Sequence, residues 1–366
     1  MTKIKEVIAA LETLAPPSYQ ESYDNAGLLV GSPGDEVTGV LIALDTTEAV
    51  IEEALRRNCN LIVAHHPVIF KGLKQLTGKN YVERTIISAI RNHVAIYAAH
   101  TNLDHVHHGV NKMIAEKIGL QQVRVLDPKK GILTKMTFFT PVDHTQAVLD
   151  ALYEAGAGRI GEYSECSFSA AGTGTFTPSD QANPAIGKAG KRESVAENRS
   201  EIMFPSHTTA KMVGVLKRVH PYEEVAYYLT SLENENQEVG AGAIGELPEP
   251  VPAERFLEML KSNMNLQIIR HTEAPGRPVS RVAVCGGAGS FLLQAALRAG
   301  ADAFVTADYK YHEFFDAEGR AMICDIGHYE SEVYTKDLLY NYLSEKFSNF
   351  ALCLSEVNTN PVRYFV

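Results

Sequence analysis

The sequence has few cysteines and lacks the spacing that would give them a shared structural role. Five occur in 366 residues, an odd number, widely spread and without a CxxC pair. That pattern does not suggest a disulfide framework or a cysteine-rich metal site. Cys285, Cys324 and Cys353 lie in apolar runs typical of strands. We therefore expect buried, reduced thiols in a cytoplasmic protein.

Long apolar runs and excess positive charge are also missing. No stretch approaches the ~18 consecutive apolar residues of a membrane-spanning helix. Near the N-terminus, Glu6 and Glu12 interrupt the apolar residues, which favours an amphipathic helix ending before Pro16 over a secretory signal. Lys and Arg number 34 against 44 Asp and Glu, a net charge of −10. A general nucleic-acid binder needs a basic face, so neither nucleic acid nor membrane is an expected partner. A local basic pocket for a phosphorylated small molecule stays compatible with this balance.

Length and patterning predict two or three domains. Both outer thirds alternate strand-like and helix-like segments, which is typical of an α/β domain with parallel or mixed sheets. In the first third we predict strands at 37–44, 61–64 and 94–99 and helices at 48–57, 82–92 and 110–118. In the last third we predict strands at 281–285, 303–306, 322–324 and 349–354 and helices at 291–298 and 331–347.

The middle third follows a different order, roughly β-α-β-β-α-β, which predicts a ferredoxin-like α+β domain. The interpretation places a hairpin at 166–177 and a polar loop at 179–200. The chain is thus expected to form one α/β domain interrupted by a guest. The predicted boundaries are 1–130 for the first part, 131–239 for the insert and 240–366 for the second part.

Three strands end in residues that bind metals. The run LIVA leads into His65 and His66, and VAIYAA leads into a segment carrying Asp104. A later strand precedes His328 and Glu332, four positions apart and so on one face if a helix begins at or just before His328. Ligands of open α/β sheets bind beyond the carboxyl ends of strands. Three imidazoles and two carboxylates suit a dinuclear site for Zn, Mn or Fe.

Each of these signals also has an ordinary structural interpretation. Two adjacent histidines after a strand often form a solvated turn or a satisfied core pair. An isolated aspartate is often a turn or cap residue, and a His-xxx-Glu pair often lies on a helix surface. We weigh the convergence of three strand ends above any single motif. For His105, His107 and His108, which crowd one loop, we favour contact with solvent or support of the ligands.

The same segments carry a resemblance to a known family. LIVAHHPVIFKG, YDNAGLLVG, LIALDTT, AAHTNLD, GGAGS and DIGHYESE resemble the Nif-three-like dinuclear-metal family, also known as homologs of type 2 GTP cyclohydrolase I. The middle third, with HPYEEVAYYL, is similar to the CutA/PII-like insert of the longer members.

The resemblance implies two divalent ions per subunit, held by His65, His66, Asp104, His328 and Glu332. It also implies a homohexamer with trimer contacts through the insert. The cyclohydrolase name implies water attack on the imidazole ring of GTP, with release of formate. The alternative is a non-enzymatic hexamer that handles metal or senses a small molecule. A nucleotide or another phosphorylated compound is then the expected small-molecule partner.

Further candidates are less specific. Side chains near other strand ends are expected to support the ligands or bind substrate: Asp45, His100, Asp308, Lys310 and His312. A glycine-rich turn is a weak phosphate-binding candidate, and close strand–helix packing explains it about as well: Gly286, Gly287, Gly289 and Ser290. In the insert, His220, Tyr222 and Glu223 either form a regulatory site or merely follow a helix end set by Pro221.

Overall fold

A computed structural model describes residues 1–365, which fall into two compact units. The split unit combines residues 1–128 with the chain from Glu238 onward, and the middle unit is Lys129–Gln237. Both helices and strands are present, with parallel and antiparallel pairing, so the mixed α/β class predicted from the sequence is confirmed. None of the helices in the described part of the chain is long and apolar enough to cross a membrane.

The described residues form eleven α-helices and fifteen strands. The helices are α1 Ile4–Leu14, α2 Glu48–Arg56, α3 Tyr81–Arg91, α4 Thr101–His105, α5 Val110–Ile118, α6 Thr145–Glu154, α7 Thr209–Val219, α8 Ala253–Asn263, α9 Leu293–Arg298, α10 His328–Glu332 and α11 Thr335–Lys346. The strands are β1 Gly27–Val30, β2 Gly39–Ala43, β3 Leu61–Ala64, β4 Ala95–Ala98, β5 Gln121–Lys129, β6 Leu133–Pro141, β7 Ser167–Phe176, β8 Glu193–Pro205, β9 Tyr227–Leu232, β10 Asn236–Val251, β11 Arg270–His271, β12 Val279–Ala288, β13 Ala303–Ala307, β14 Met322–Asp325 and β15 Ala351–Leu354.

The split unit contains two mixed sheets. The first has the order β1-β4-β3-β2-β15, in which β4, β3, β2 and β15 run parallel and β1 is antiparallel. The second has the order β11-β14-β13-β12-β10-β5, in which β12, β13 and β14 are parallel. Parallel strands place their carboxyl ends at one edge, so each sheet gathers the residues that follow its strands.

Strand alternation explains why the central strands are apolar throughout. In β2, Val40 and Ile42 pack in the cluster shared by both sheets, whereas Leu41 and Ala43 pack with α2 and α3 on the opposite face. Successive side chains of a strand point to opposite faces, so a strand covered on both sides needs a continuous apolar run. The runs VLIA and LIVA meet that requirement.

The middle unit is a four-stranded antiparallel sheet of order β7-β8-β6-β9 with two helices, in the predicted β-α-β-β-α-β sequence. Its own core includes the fully buried Phe138 and Leu152. The predicted hairpin at 166–177 is wrong, because β7 runs straight through this segment and pairs along its length with β8. A Cβ at Gly174 would lie 1.9 Å from Oε2 of Glu197, so this glycine provides space for a carboxylate rather than a turn.

Two further expectations need correction. Residues 193–200 belong to β8 and not to a loop. The segment 331–347, predicted as a single helix, is shared between two helices. After Glu332 the α-helical pattern is interrupted by hydrogen bonds between residues three apart, such as Asp337 N to Tyr334 O (3.0 Å). The first of the two helices, α10, begins at His328, which is the start that the His328–Glu332 spacing requires. All five cysteines are free thiols, but Cys166 and Cys353 are only partly buried.

Candidate metal centre

The structure brings the five predicted ligands together at the carboxyl ends of both sheets of the split unit. His65 and His66 follow β3 directly, and Asp104 lies on α4, just after β4. From the second sheet, α10 follows β14 and carries His328 and Glu332 at its two ends. Atoms that are 266 positions apart in the sequence, His66 Nε2 and Glu332 Oε2, are 2.9 Å apart.

His65 carries the most direct sign of a bound cation. Its Nδ1 donates to the carbonyl oxygen of Ala99 at 2.8 Å, so in the neutral ring Nε2 holds a lone pair. That Nε2 lies 3.6 Å from Asp104 Oδ1 and 3.8 Å from Glu332 Oε1. Both His65 Nε2 and Asp104 Oδ1 are buried without a hydrogen-bond partner. Buried acceptors that face one another are costly unless a cation lies between them, so the residues fit a metal ion.

The other two predicted imidazoles are each fixed by a carboxylate. His66 Nδ1 lies 2.7 Å from Asp45 Oδ1, and His328 Nδ1 lies 2.7 Å from Asp308 Oδ2. Such contacts orient metal-binding histidines and direct Nε2 to the ion. Both Nε2 atoms point to Oε2 of Glu332, at 2.9 and 3.0 Å. The placement of Asp45 and Asp308 agrees with the supporting role expected for them.

Glu332 connects two groups of candidate ligands. One group is His65, Asp104 and Glu332, and the other is His66, His328 and Glu332, with the ligand atoms of each group within 4.8 Å of one another. Oε1 of Glu332 faces His65 and Oε2 faces His66 and His328. The carboxylate shared between the two groups is therefore that of Glu332.

His100 joins this arrangement, and its partner is a residue that the sequence analysis missed. His100 forms a third group with His65 and His66, and its Nδ1 lies 2.7 Å from Asp24 Oδ1. The other oxygen of Asp24 accepts hydrogen bonds from the backbone and hydroxyl of Thr101. Asp24 lies in the YDNAGLLVG segment, whose family resemblance by itself assigns no role to this carboxylate.

The electrostatics of the cluster favour cations. Burial disfavours the charged form of His66, but hydrogen bonds to Asp45 and Glu332 outweigh it and raise its pKa to about 10. The same balance, with Glu332 as the main partner, raises the pKa of His328 to about 9. Burial and then the nearby Glu332 raise the pKa of Asp104 to about 7. Because several carboxylates lie close together, the cluster binds protons strongly. Bound divalent ions would supply the positive charge that these protons otherwise provide.

Two other candidates lie away from this centre. Lys310 is highly exposed and its side chain pairs with Glu313 at 3.9 Å. His312 is exposed and packs against Tyr311 and Phe315. Both follow β13, but neither lines the cavity at the centre, so proximity to a strand end does not suffice to place a residue in the site.

The glycine-rich turn packs against the centre and offers little to a phosphate. The backbone N–H of Gly286 donates to Asn111 and that of Gly287 to Ser331, so neither amide is available. A Cβ at Gly287 would lie 2.4 Å from Glu332 Oε1, and one at Gly289 would lie 2.4 Å from Thr306 Oγ1. Ser290 begins a short 3₁₀ turn before α9, which has only six residues. Close packing accounts for these glycines, and the phosphate interpretation is not supported.

The histidines of the crowded loop and of the middle unit have structural partners. His105 Nδ1 donates to the carbonyl of Tyr19 at 2.8 Å, which fixes the loop after α4. In the middle unit, α7 ends at Val219, and His220 Nε2 donates to the carbonyl of Phe139. The backbone N–H of Tyr222 donates to His220 Nδ1. These contacts agree with the interpretation of HPYEE as a helix end.

The candidate centre forms one wall of a cavity of about 1130 Å³ within the split unit. Aromatic side chains of the cavity include Tyr23 and Phe70, whose ring centroids are 6.4 Å apart. Phe70 also lies 6.2 Å from the ring of His100. The volume exceeds what ions and water need, and it lies slightly above the ~300–1,000 Å³ that is typical of small-molecule pockets.

Known proteins resemble the chain along its whole length. The model of the family Duf34/NIF3 (NGG1p interacting factor 3) matches residues 2–361. A protein of Halalkalibacterium halodurans named GTP cyclohydrolase 1 type 2 homolog is 39% identical over 363 residues, 98% of each chain. A Bacillus subtilis protein of the same name is 35% identical over 365 residues, again 98% of each chain.

Solved structures show the same relationship. A Bacillus cereus protein described as related to NIF3 has a TM-score of 0.88 and 36% identity, with 100% of this chain and 99% of that chain covered. A Staphylococcus aureus protein has a TM-score of 0.78 and 31% identity at the same coverage. The family resemblance inferred from the sequence motifs is thus confirmed: the chain belongs to the Duf34/NIF3 family.

Proposed function

We propose that the chain is a metal-dependent hydrolase that holds two divalent ions, Zn, Mn or Fe, and opens the imidazole ring of a purine by hydrolysis. The observation that carries the proposal is the pair of buried, unpartnered acceptors at the centre, His65 Nε2 and Asp104 Oδ1. Relatives named GTP cyclohydrolase 1 type 2 homolog make GTP the first substrate to test.

The two groups that share Glu332 suggest how two ions would be held. His65 and Asp104 with Oε1 of Glu332 would bind one ion, and His66 and His328 with Oε2 would bind the other. When bound, two such ions supply a hydroxide at neutral pH and polarise the bond that it attacks. Nitrogen and oxygen donors of this kind suit Zn, Mn and Fe.

The chain contributes orientation and proton transfer. Asp45 and Asp308 fix the rings of His66 and His328, so their Nε2 atoms keep their direction during turnover. His100, fixed through Nδ1 by Asp24, is the candidate to move a proton at Nε2. A histidine whose other nitrogen is held by a carboxylate is suited to that role.

The test is formate release from GTP and from guanosine by protein loaded with Zn, Mn or Fe. We expect turnover of at least one of the two compounds by wild-type protein and of neither by His66→Ala. The matched control is His312→Ala, since His312 is exposed and outside the cavity. Metal content is measured for each protein. If metal-loaded wild-type protein turns over neither compound while its ions exchange readily, the result would contradict the hydrolase and favour a protein that handles metal or senses a small molecule.

The homohexamer with trimer contacts through the middle unit remains a separate prediction. Light scattering after size-exclusion chromatography would measure the mass directly. Six chains of 40.1 kDa are expected per particle, and a monomer would contradict the prediction.

A further inference from the structure

The charged side chains that line the cavity beside the candidate centre are mainly acidic. Besides Asp104 and Glu332, five carboxylates contribute to its wall: Glu21, Asp45, Asp308, Asp325 and Glu330. Among the described residues that line it, Arg270 is the only lysine or arginine. Seven negative charges therefore face one positive charge, and two divalent ions would bring four more positive charges. The wall keeps a net charge of −2 with both ions bound and the imidazoles neutral.

The single guanidinium is already engaged. Arg270 Nη1 donates to Asp325 Oδ2 at 3.1 Å, and Nη2 donates to the carbonyl of Tyr309 at 3.0 Å. The backbone amides of Gly286 and Gly287 are likewise used by Asn111 and Ser331. Phosphate groups are bound in proteins by arginine, lysine or free backbone N–H groups. A phosphate chain needs hydrogen-bond donors or cations, but the charged groups of this cavity away from the metal centre are mainly carboxylates.

The aromatic side of the cavity suits an uncharged ring. Tyr23 and Phe70 are 63% and 45% exposed and form a tilted pair, and Phe70 lies edge-on to His100 beside the centre. The side chain of Asn25 donates to the carbonyl of Ile69 at 2.6 Å, which ties the segments that carry the two rings. Exposed aromatic faces beside a polar centre are typical stacking surfaces for a base.

We propose that the substrate binds here as an uncharged purine-like base or nucleoside, and that the carboxylates of the cavity wall exclude its triphosphate. The inference rests on the proposed ring-opening function, which requires the base itself at the metal centre. The phosphates of GTP would then enter a cavity whose wall carries carboxylates such as Glu21 and Glu330. A cleft of one charge sign repels ions of that sign more strongly than bulk water does.

Binding of guanosine and GTP to metal-loaded protein tests the proposal without relying on turnover. Isothermal titration at low salt should give a Kd for GTP at least ~10-fold higher than that for guanosine, because little salt is present to screen the repulsion between carboxylates and phosphates. The ratio of the two Kd values should fall at ~0.5 M salt. Metal content measured after each titration shows whether the ions stayed bound, so removal of metal by GTP is not mistaken for exclusion.

Variants separate charge from stacking. Glu330→Gln should lower the ratio of the Kd for GTP to that for guanosine, and Glu330→Lys should lower it further. Glu154→Lys, at an exposed position in the middle unit, should leave the ratio unchanged. Phe70→Ala should weaken guanosine binding by roughly 5- to 150-fold, the range for loss of one stacking partner. Phe315→Ala is the control, because Phe315 is 64% exposed but lies outside this cavity.

The outcomes distinguish this inference from the function on which it rests. GTP binding as tight as guanosine binding, with the ions retained, overturns the proposal, and so does an absence of guanosine binding. If guanosine binds tightly but yields no formate, the preference for an uncharged ligand is retained and the hydrolase is contradicted. Release of formate from GTP faster than from guanosine, at equal metal content, supports the hydrolase and overturns that preference.

Discussion

Asp24 Oδ1 lies 2.7 Å from Nδ1 of His100, so a loop near the start of the chain fixes an imidazole that follows β4. The carboxylate also accepts hydrogen bonds from Thr101. Although burial opposes its charged form, these hydrogen bonds outweigh burial and lower the pKa of Asp24 to about 2. The loop and the centre are therefore coupled through one ionised side chain.

Asp24→Ala should destabilise the protein by ~1–3 kcal/mol at pH 7, because it leaves donors of the partly buried His100 and the buried Thr101 without an acceptor. Urea unfolding measures the change. Asp35→Ala is the control, since Asp35 is exposed and surface changes usually stay within ~0.5 kcal/mol. Equal stability of the two variants would contradict the role given to Asp24.

Replacing Asp45 with asparagine should weaken metal binding by ~10–100-fold, the usual cost of losing the carboxylate behind a metal-binding histidine. The affinity is measured by competition with a chelator of known strength. Glu48→Gln, which removes a surface pair with Arg84, serves as the comparison. An unchanged affinity in Asp45→Asn would argue against a metal at His66.

Glu332→Gln should lower the metal content from about two ions per chain to below one, since this carboxylate belongs to both candidate groups. Elemental analysis of protein purified without chelators gives the ratio. Glu345→Gln, exposed on α11, should keep the wild-type content. A variant that retains both ions would refute the bridging position of Glu332.

Glu83 predicts an acid-sensitive segment away from the centre. Its buried carboxylate accepts hydrogen bonds from the Thr77 backbone and hydroxyl, the Lys79 backbone and the Asn80 side chain, and these, led by the Thr77 backbone, lower its pKa to about 2. A folded-state pKa below the ordinary ~4.3 stabilises the protein above that pH, and the contribution is lost as the pH falls towards 2.

The Glu83→Gln variant should therefore melt at a lower temperature than wild type at pH 7, with the difference shrinking as the pH falls from about 4 to 2. Calorimetry across that range measures it. Glu52→Gln, at an exposed position on α2, provides the comparison. A difference in Tm that stays constant with pH would exclude the charge of Glu83 as its cause.

Phe138→Ala should destabilise the middle unit by ~3–5 kcal/mol, because the ring is fully buried in that unit's core. Phe168→Ala, 67% exposed in the same sheet, should have little effect. All five candidate ligands belong to the split unit, so metal content should not change in either variant. Loss of metal in Phe138→Ala would show that the centre depends on the middle unit.

How much the sequence could predict depended on the range of the interactions. Apolar runs such as LIVA predict buried strands because alternation and burial on both faces act over a few residues. The four-residue spacing of His328 and Glu332 predicts a common helix face for the same reason. Local patterns do not reveal where a loop turns, and Lys310 and His312 were placed wrongly for that reason.

By itself, the sequence determined the alternating elements, the five candidate ligands and the family, since each is written in contiguous segments. Only the tertiary structure decided that Glu332 joins two ligand groups, that Asp24 holds His100, and that Gly287 makes room for a carboxylate. These relationships join residues from distant parts of the chain, with contacts such as His66 to Glu332 spanning 266 positions. Their geometry follows from how the two sheets of the split unit pack around one core, which no local pattern encodes.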